Sequence, residues 1–331
     1  MKVAVLGAGA IGAYVGACLD RGGIDVTLIA RGAHLAAMQS RGVRVLSPRG
    51  DFTAHPRATD DWDAAGEADV VFVGLKANSL TAAAPRLGPV LRPDAAVIWA
   101  QNGLPWWYFQ DLDSPWGKPP LESVDPGGEI AAAIRPEHNV GCVVYCGTEI
   151  TEPGVIKHIE GSRFTIGEPD GSVSERCQEV SAAFKAGGLK APVDPNLRNQ
   201  IWLKMVGNVA FNPVTALTRA TLGELGSIPE MPDLLRRMFA ECAAVAGQLG
   251  IEFPVSLDRR LEAGLAVGDH KTSMLQDLEA GKPLELGCMT GALIELADEL
   301  DIPVPHTRTI HACVELLARH ADALASSHKP S

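Results

Sequence analysis

Residues 3–16 read VAVLGAGAIGAYVG, and this stretch decides how the first half of the chain folds. Val3 to Leu6 are the apolar run of a buried strand, and glycines follow at 7, 9, 12 and 16. The first three form G-x-G-x-x-G between a strand and a helix. In that context each glycine has a mechanical role. Gly7 permits a tight turn, Gly9 lets the backbone approach a pyrophosphate, and Gly12 lets the helix lie close to the sheet. The helix N-terminus then faces the phosphate charge. The turn Gly7, Ala8, Gly9, Ala10, Ile11, Gly12 is therefore expected to bind a dinucleotide, with a structural glycine-rich turn as the competing reading. Lys2 followed by an apolar run also imitates a signal peptide, but the glycines interrupt what would be its hydrophobic region.

Working outward, the next strand is DVTLIA at 25–30, whose end should lie beside the adenine ribose. A carboxylate there would accept from the 2′-hydroxyl of NAD. Here the strand ends in Ala30 and Arg31, and a guanidinium suits a 2′-phosphate, so the expected cofactor is NADPH. A solvated arginine at a strand end is the alternative. Further β-rich runs alternate with Ala-rich helical stretches through VRVL, DVVFVGLK and AAVIWAQNG, which predicts a parallel sheet covered by helices. Lys76 and Asn102 stand at two of these strand ends, where ligands of doubly wound sheets bind. Either could be a surface polar residue; together they point to a site. Around residues 141–148, VIKHIE and RFTIGE the pattern becomes strand after strand. The expectation is an α/β Rossmann-type N-terminal domain with a partly antiparallel extension over 1–195.

From about Asn196 the β-branched runs give way to apolar residues at helical spacing, notably over 234–249, 289–300 and 309–324. An all-α C-terminal domain is expected over 196–331. Two of its helices end in similar phrases, QLGIEFP and ELDIPVP. Between Leu104 and Gly128 a Pro- and Gly-rich segment carries Trp106, Trp107, Tyr108, Phe109 and Trp116, which reads as a long loop outside the core.

The bulk numbers narrow the function. A chain of 331 residues with 46% hydrophobic residues can bury a sizeable core, and a formal net charge of −11 with no basic cluster disfavours nucleic acid as a partner. Seven scattered cysteines fit a reducing compartment better than a disulfide framework, and no apolar run is long enough for a membrane helix. A cytoplasmic protein is expected. Cys142 and Cys146 read as strand residues, and no metal site is expected.

IWLKMVGNVAFNP places Lys204, Asn208 and Asn212 four residues apart. At about 100° per residue each step rotates the side chain by only about 40°, so the three share one helix face. Their neighbours are mostly apolar, which makes the helix largely buried, and buried polar groups need partners. A structural network could supply them. A lysine with two amides also offers what hydride transfer to a ketone requires, because the ammonium can stabilise the oxygen that gains charge and give it a proton.

Taken together, GAGAIG, Arg31, Lys76, QNG at 101–103, the run from Lys204 to Leu217 and TSMLQDLEAG followed by Glu285 resemble the ketopantoate reductase family. The resemblance implies NADPH-dependent reduction of a 2-keto acid to an (R)-2-hydroxy acid in pantothenate biosynthesis. It implies Lys204 as general acid, Glu285 as support for lysine and substrate, and Asn208, Asn212 and Ser273 as substrate ligands. Lys76 and Asn102 would lie where nicotinamide meets the keto group. Gly287 stands where the family often has aspartate. Two other functions stay open: an (R)-2-hydroxyacid dehydrogenase for a branched or aryl 2-keto acid, and a non-catalytic NADPH sensor. A homodimer is one option for the assembly.

Overall fold

A computed structural model describes residues 1–112 and 121–327. Two compact units emerge: Met1–Gln101 with Pro105–Leu197, and Asn102–Leu104 with Arg198 onward.

In the first unit the strands are β1 (Lys2–Leu6), β2 (Asp25–Ile29), β3 (Val43–Leu46), β4 (Phe52–Ala54), β5 (Arg57–Thr59), β6 (Val70–Val73), β7 (Ala96–Trp99), β8 (Asn139–Glu152) and β9 (Val155–Gly167). The helices are α1 (Ala10–Arg21), α2 (Gly32–Arg41), α3 (Leu80–Leu87), α4 (Glu129–Ala133) and α5 (Glu175–Ala186). Among the described residues the strands form one sheet in the order β4-β3-β9-β8-β7-β6-β1-β2-β5. β1 runs parallel between β2 and β6, with Val3 opposite both Val26 and Val70. Parallel pairing continues through β7 to β8, while β9 turns back antiparallel on β8. This is the α/β unit with a partly antiparallel extension that the strand pattern predicts.

Two details differ from the expectation. VIKHIE and RFTIGE belong to one strand, because Gly161 at φ 71° absorbs a register shift opposite Tyr145 and Cys146 instead of turning the chain. The second concerns the aromatic segment. Its backbone is irregular, but Trp106, Trp107 and Tyr108 are buried, not loop-surface residues. Trp106 meets Trp99 of β7 edge to face at 5.4 Å, and Trp107 carbons lie 2.5 Å from where a Cβ on Gly141 would stand. Gly141 is thus the gap that this indole fills. Trp116 lies outside the described residues.

The second unit is helical: α6 (Leu197–Thr218, starting on the last residue of the first unit), α7 (Glu230–Gln248), α8 (Leu257–Leu265), α9 (Ser273–Glu279), a π-helical turn Gly287–Gly291, α10 (Ala292–Glu299) and α11 (Pro305–Ser327). Its core gathers Leu235, Met238, Phe239 and Cys242 of α7 with Leu293 and Leu296 of α10 and Val314 of α11, all nearly solvent-free. The phrases QLGIEFP and ELDIPVP close α7 and α10 in the same way. Gly250 and Asp301 have positive φ, and the next N–H, of Ile251 or Ile302, returns to the carbonyl of Ala246 or Ala297. Each is a Schellman closure that satisfies late carbonyls of the helix. No helix among the described residues is long and apolar enough to cross a membrane.

Candidate active site

The glycine turn in the first unit is built around contacts that admit no side chain. Gly7 has φ 86°, and a Cβ there would stand 2.8 Å from the Leu75 nitrogen. One on Gly12 would collide with the Gly7 carbonyl, and one on Gly16 with Leu28 of β2. Gly9 is different: its Cβ would meet nothing within 4 Å. Gly9 therefore spares space on the open side of the turn, as close approach of a pyrophosphate needs. The first turn of α1 has no side-chain cap and no acidic residue, which leaves its positive end to an anion. The donor set and the open space fit a dinucleotide.

The Ile29 carbonyl accepts from both Gly7 and Ala8, at 3.1 and 3.0 Å, and so fastens this turn to the end of β2. Arg31 follows at once, exposed and with no side-chain partner among the described residues. Lys76 follows β6 with its ammonium nitrogen shielded from solvent. Sequence reasoning gave Gln101 no role. Its amide donates to the carbonyls of both Val73 and Leu75, each at 2.9 Å, and clamps the turn that leads into Lys76. Gly74 in that turn would strike the Gly7 carbonyl at 2.8 Å if it carried a Cβ. The Lys76 turn and the glycine turn thus pack as one body within the first unit.

In the second unit the helix face expected from spacing is present on α6. Lys204 and Asn208 are half-buried and Asn212 is 5% exposed. Lys204 Nζ donates to Asn102 Oδ1 at 2.7 Å. Asn102 is held there because Gly103, at φ 77°, lies against Cys288 too closely for any side chain, and the Leu104 N–H donates to the Cys288 carbonyl at 2.8 Å. The segment 102–104 is thereby part of the second unit, whereas Lys76 belongs to the first. Asn212 donates to the Met289 sulfur at 3.6 Å, and Asn208 has no side-chain partner among the described residues.

Ser273 opens α9 and is exposed. Its place along α6 is set by a buried pair: Thr215 Oγ1, itself bonded to the Asn212 carbonyl, lies 2.6 Å from Thr272 Oγ1, the cap of α9. The Thr215–Thr272 link brings Ser273 to the Asn212 end of the face. Glu285 is 8% exposed and stands two residues before the π-helical turn. Burial first, and then the neighbouring Glu285 charge, push the Cys288 thiol well above the ordinary range, so Cys288 is a neutral packing residue here. Gly103, Thr215, Thr272 and the π-helical turn carry no local signal that would have marked them from sequence.

Comparison with known proteins agrees with this architecture. The ketopantoate reductase PanE/ApbA family matches residues 3–106, and its C-terminal counterpart matches residues 196–318. A 2-dehydropantoate 2-reductase of Mesorhizobium japonicum is 42% identical over 96% of this chain and 98% of its own. The crystal structure of a candidate ketopantoate reductase from Ralstonia solanacearum MolK2 superposes with a TM-score of 0.90 at 36% identity, over 96% of this chain and 98% of that one. D-mandelate dehydrogenase, solved with NADH and anilino(oxo)acetate, shares the fold at 18% identity and a TM-score of 0.83, over 97% of this chain and all of its own. The chain belongs to the ketopantoate reductase family. It is an oxidoreductase of that family.

Proposed function

We propose that this protein reduces 2-dehydropantoate to (R)-pantoate with NADPH, in the cytoplasm. The observation that carries the reading is the Lys204–Asn102 contact on α6, a cation held by an amide oxygen on a face with an unpartnered amide four residues on. The Gly7–Gly12 turn, with Arg31 serving the 2′-phosphate, would hold NADPH, which would supply the hydride for the keto carbon. Lys204 then stabilises the charge that develops on the keto oxygen and protonates it. The neutral amide acceptor aims the ammonium without itself cancelling the charge. Asn102, Asn208, Asn212 and Ser273 orient the carboxylate and hydroxyl of the substrate, Glu285 supports the lysine and substrate, and Lys76 faces the nicotinamide end of the cofactor.

The test is NADPH consumption with a panel of 2-dehydropantoate, 2-ketoisovalerate, pyruvate and phenylpyruvate. A kcat/KM highest for 2-dehydropantoate supports the reading. A clear preference for phenylpyruvate turns it toward an aryl 2-hydroxyacid dehydrogenase. In the same assay Arg31→Ala should remove most of the preference for NADPH over NADH, because the guanidinium serves the 2′-phosphate alone.

A further inference from the structure

The second unit holds an arginine outside the machinery proposed for the reaction. Arg260 sits on α8, half-buried, and its Nε is shut off from solvent without a hydrogen-bond partner. An N–H that has left water unpaired is destabilising, and the cost is larger for a charged group. The chain has acids to spare, with 40 Asp and Glu against 29 Lys and Arg. Other arginines use them: Arg176 holds Glu168 at 2.5 Å, and Arg236 takes Asp258 of α8 at 2.9 Å. Arg260 has no side-chain hydrogen bond or ion pair among the described residues.

Its location is specific. Arg260 Nη2 lies 3.5 Å from where a Cβ on Gly207 would stand, so the guanidinium rests in van der Waals reach of α6 at that position. Four residues further along α8, Gly264 packs directly on the ring of Phe211, the residue one turn beyond Gly207 on α6. Gly264 lets α8 lie along the Gly207–Phe211 edge. Gly207 is three residues after Lys204 and one before Asn208, so the guanidinium stands within a helical turn of the proposed catalytic face. Arg260 therefore stands beside this face with no counter-charge of its own among the described residues. A half-buried guanidinium without a counter-charge is stabilised by an anion placed beside it.

We propose that Arg260 is a substrate anchor, a subsite on α8 beside the Lys204–Asn208 face whose guanidinium takes a carboxylate of the substrate. The planar guanidinium fork matches a carboxylate with two parallel hydrogen bonds. The carboxylate is either that of the 2-keto acid itself or one at the far end of the molecule. This inference rests on the proposed reduction of a 2-keto acid and names the group that holds a carboxylate of such an acid.

The test compares wild type with Arg260→Gln and Arg260→Lys, each checked for folding by thermal unfolding. Removing a charged hydrogen-bonding partner should raise KM by about 10- to 100-fold. kcat and NADPH affinity should change little, and the lysine variant should recover part of the loss. A rise across 2-dehydropantoate, phenylpyruvate and 2-oxoglutarate assigns Arg260 to the carboxylate next to the keto group. A rise confined to 2-oxoglutarate assigns it to a distal carboxylate. Unchanged KM for every keto acid in folded Arg260→Gln overturns the proposal. A wild type that turns over none of them defeats the functional reading instead, and Arg260 is then judged by binding. Oxalate and 2-oxoglutarate should raise the unfolding temperature of the NADP-loaded wild type more than that of Arg260→Gln, and equal shifts, or none in the wild type, overturn the anchor.

Discussion

Lys204 on α6 and Asn102, which arrives from a distant part of the chain, meet at 2.7 Å with the ammonium donating to the amide oxygen. If this lysine protonates the keto oxygen, its charge acts mainly when hydride has partly transferred. Lys204→Ala should then lower kcat by about 100-fold or more, or about 2.7 kcal/mol at that threshold. NADPH affinity should change far less. A lysine that only satisfies a buried network would instead lower stability while folded molecules turned over normally. Single-turnover rates on protein of known folded fraction separate the two, and a folded Lys204→Ala enzyme with near-wild-type kcat would sink the catalytic assignment.

Gly9 and Gly12 make a paired test of the dinucleotide turn. A methyl group on Gly9 meets no protein atom, whereas one on Gly12 collides with the Gly7 carbonyl. Gly9→Ala should therefore unfold at nearly the wild-type temperature but bind NADPH more weakly, since the methyl occupies the open side of the turn. Gly12→Ala should lose stability as well, by about 1–3 kcal/mol as overpacking commonly costs. Fluorescence titration of NADPH beside thermal unfolding reads both. Unweakened binding by Gly9→Ala would place the cofactor elsewhere.

The aromatic segment calls for a forecast opposite to the one its sequence suggests. An exposed loop would make Trp106 and Trp107 determinants of substrate choice. Their side chains are instead only 7% and 3% exposed, and both pack inside the first unit. Trp107→Ala should cost about 3–5 kcal/mol of stability, with Trp107→Phe costing less. Urea unfolding monitored by circular dichroism measures the loss. A Trp107→Ala protein as stable as wild type would show that the indole contributes no core packing.

What the sequence discloses and what it hides divide along the range of the interactions. VAVLGAGAIG reports its own fold because strand, turn and helix are consecutive, and the face on Lys204, Asn208 and Asn212 needs only the helical repeat. β4 and β5, three residues each, are too short to show a pattern and exist because longer strands offer them an edge. Trp106 and Trp107 resemble loop residues in sequence because the gap that receives Trp107 is a glycine at 141, more than thirty positions away. Gly103 is similar, since the Cys288 carbonyl that excludes a side chain there lies almost two hundred residues further on. Asn102 could be singled out at a strand end, but its partner could not. Local periodicity carries elements; it does not carry the long-range contacts that bring site residues together.

Glu241 of α7 links stability to pH. It is 8% exposed and accepts from the backbone N–H groups of His306 and Thr307, from the His306 ring and from the Thr307 hydroxyl, at 2.6 to 2.9 Å. One carboxylate thereby satisfies the free donors at the start of α11 and balances its positive end. Burial by itself would raise this carboxyl's pKa, but the Thr307 hydroxyl and the N–H groups outweigh it and hold the group below its ordinary value. The folded form is then the weaker proton binder. Its contribution is fully present above the unfolded pKa of about 4.3 and disappears as pH falls through the lower folded value. Glu241→Gln keeps one acceptor oxygen and loses the charge, so at neutral pH it should be less stable by about 1.5–3 kcal/mol. Because the glutamine does not titrate, the gap between variant and wild type should narrow as pH drops below about 4.3, once the wild-type carboxyl is protonated too. Urea unfolding midpoints of both proteins from pH 7 to pH 3 provide the comparison. A gap that stays constant over that range would show that the charge on Glu241 does not hold α11 in place.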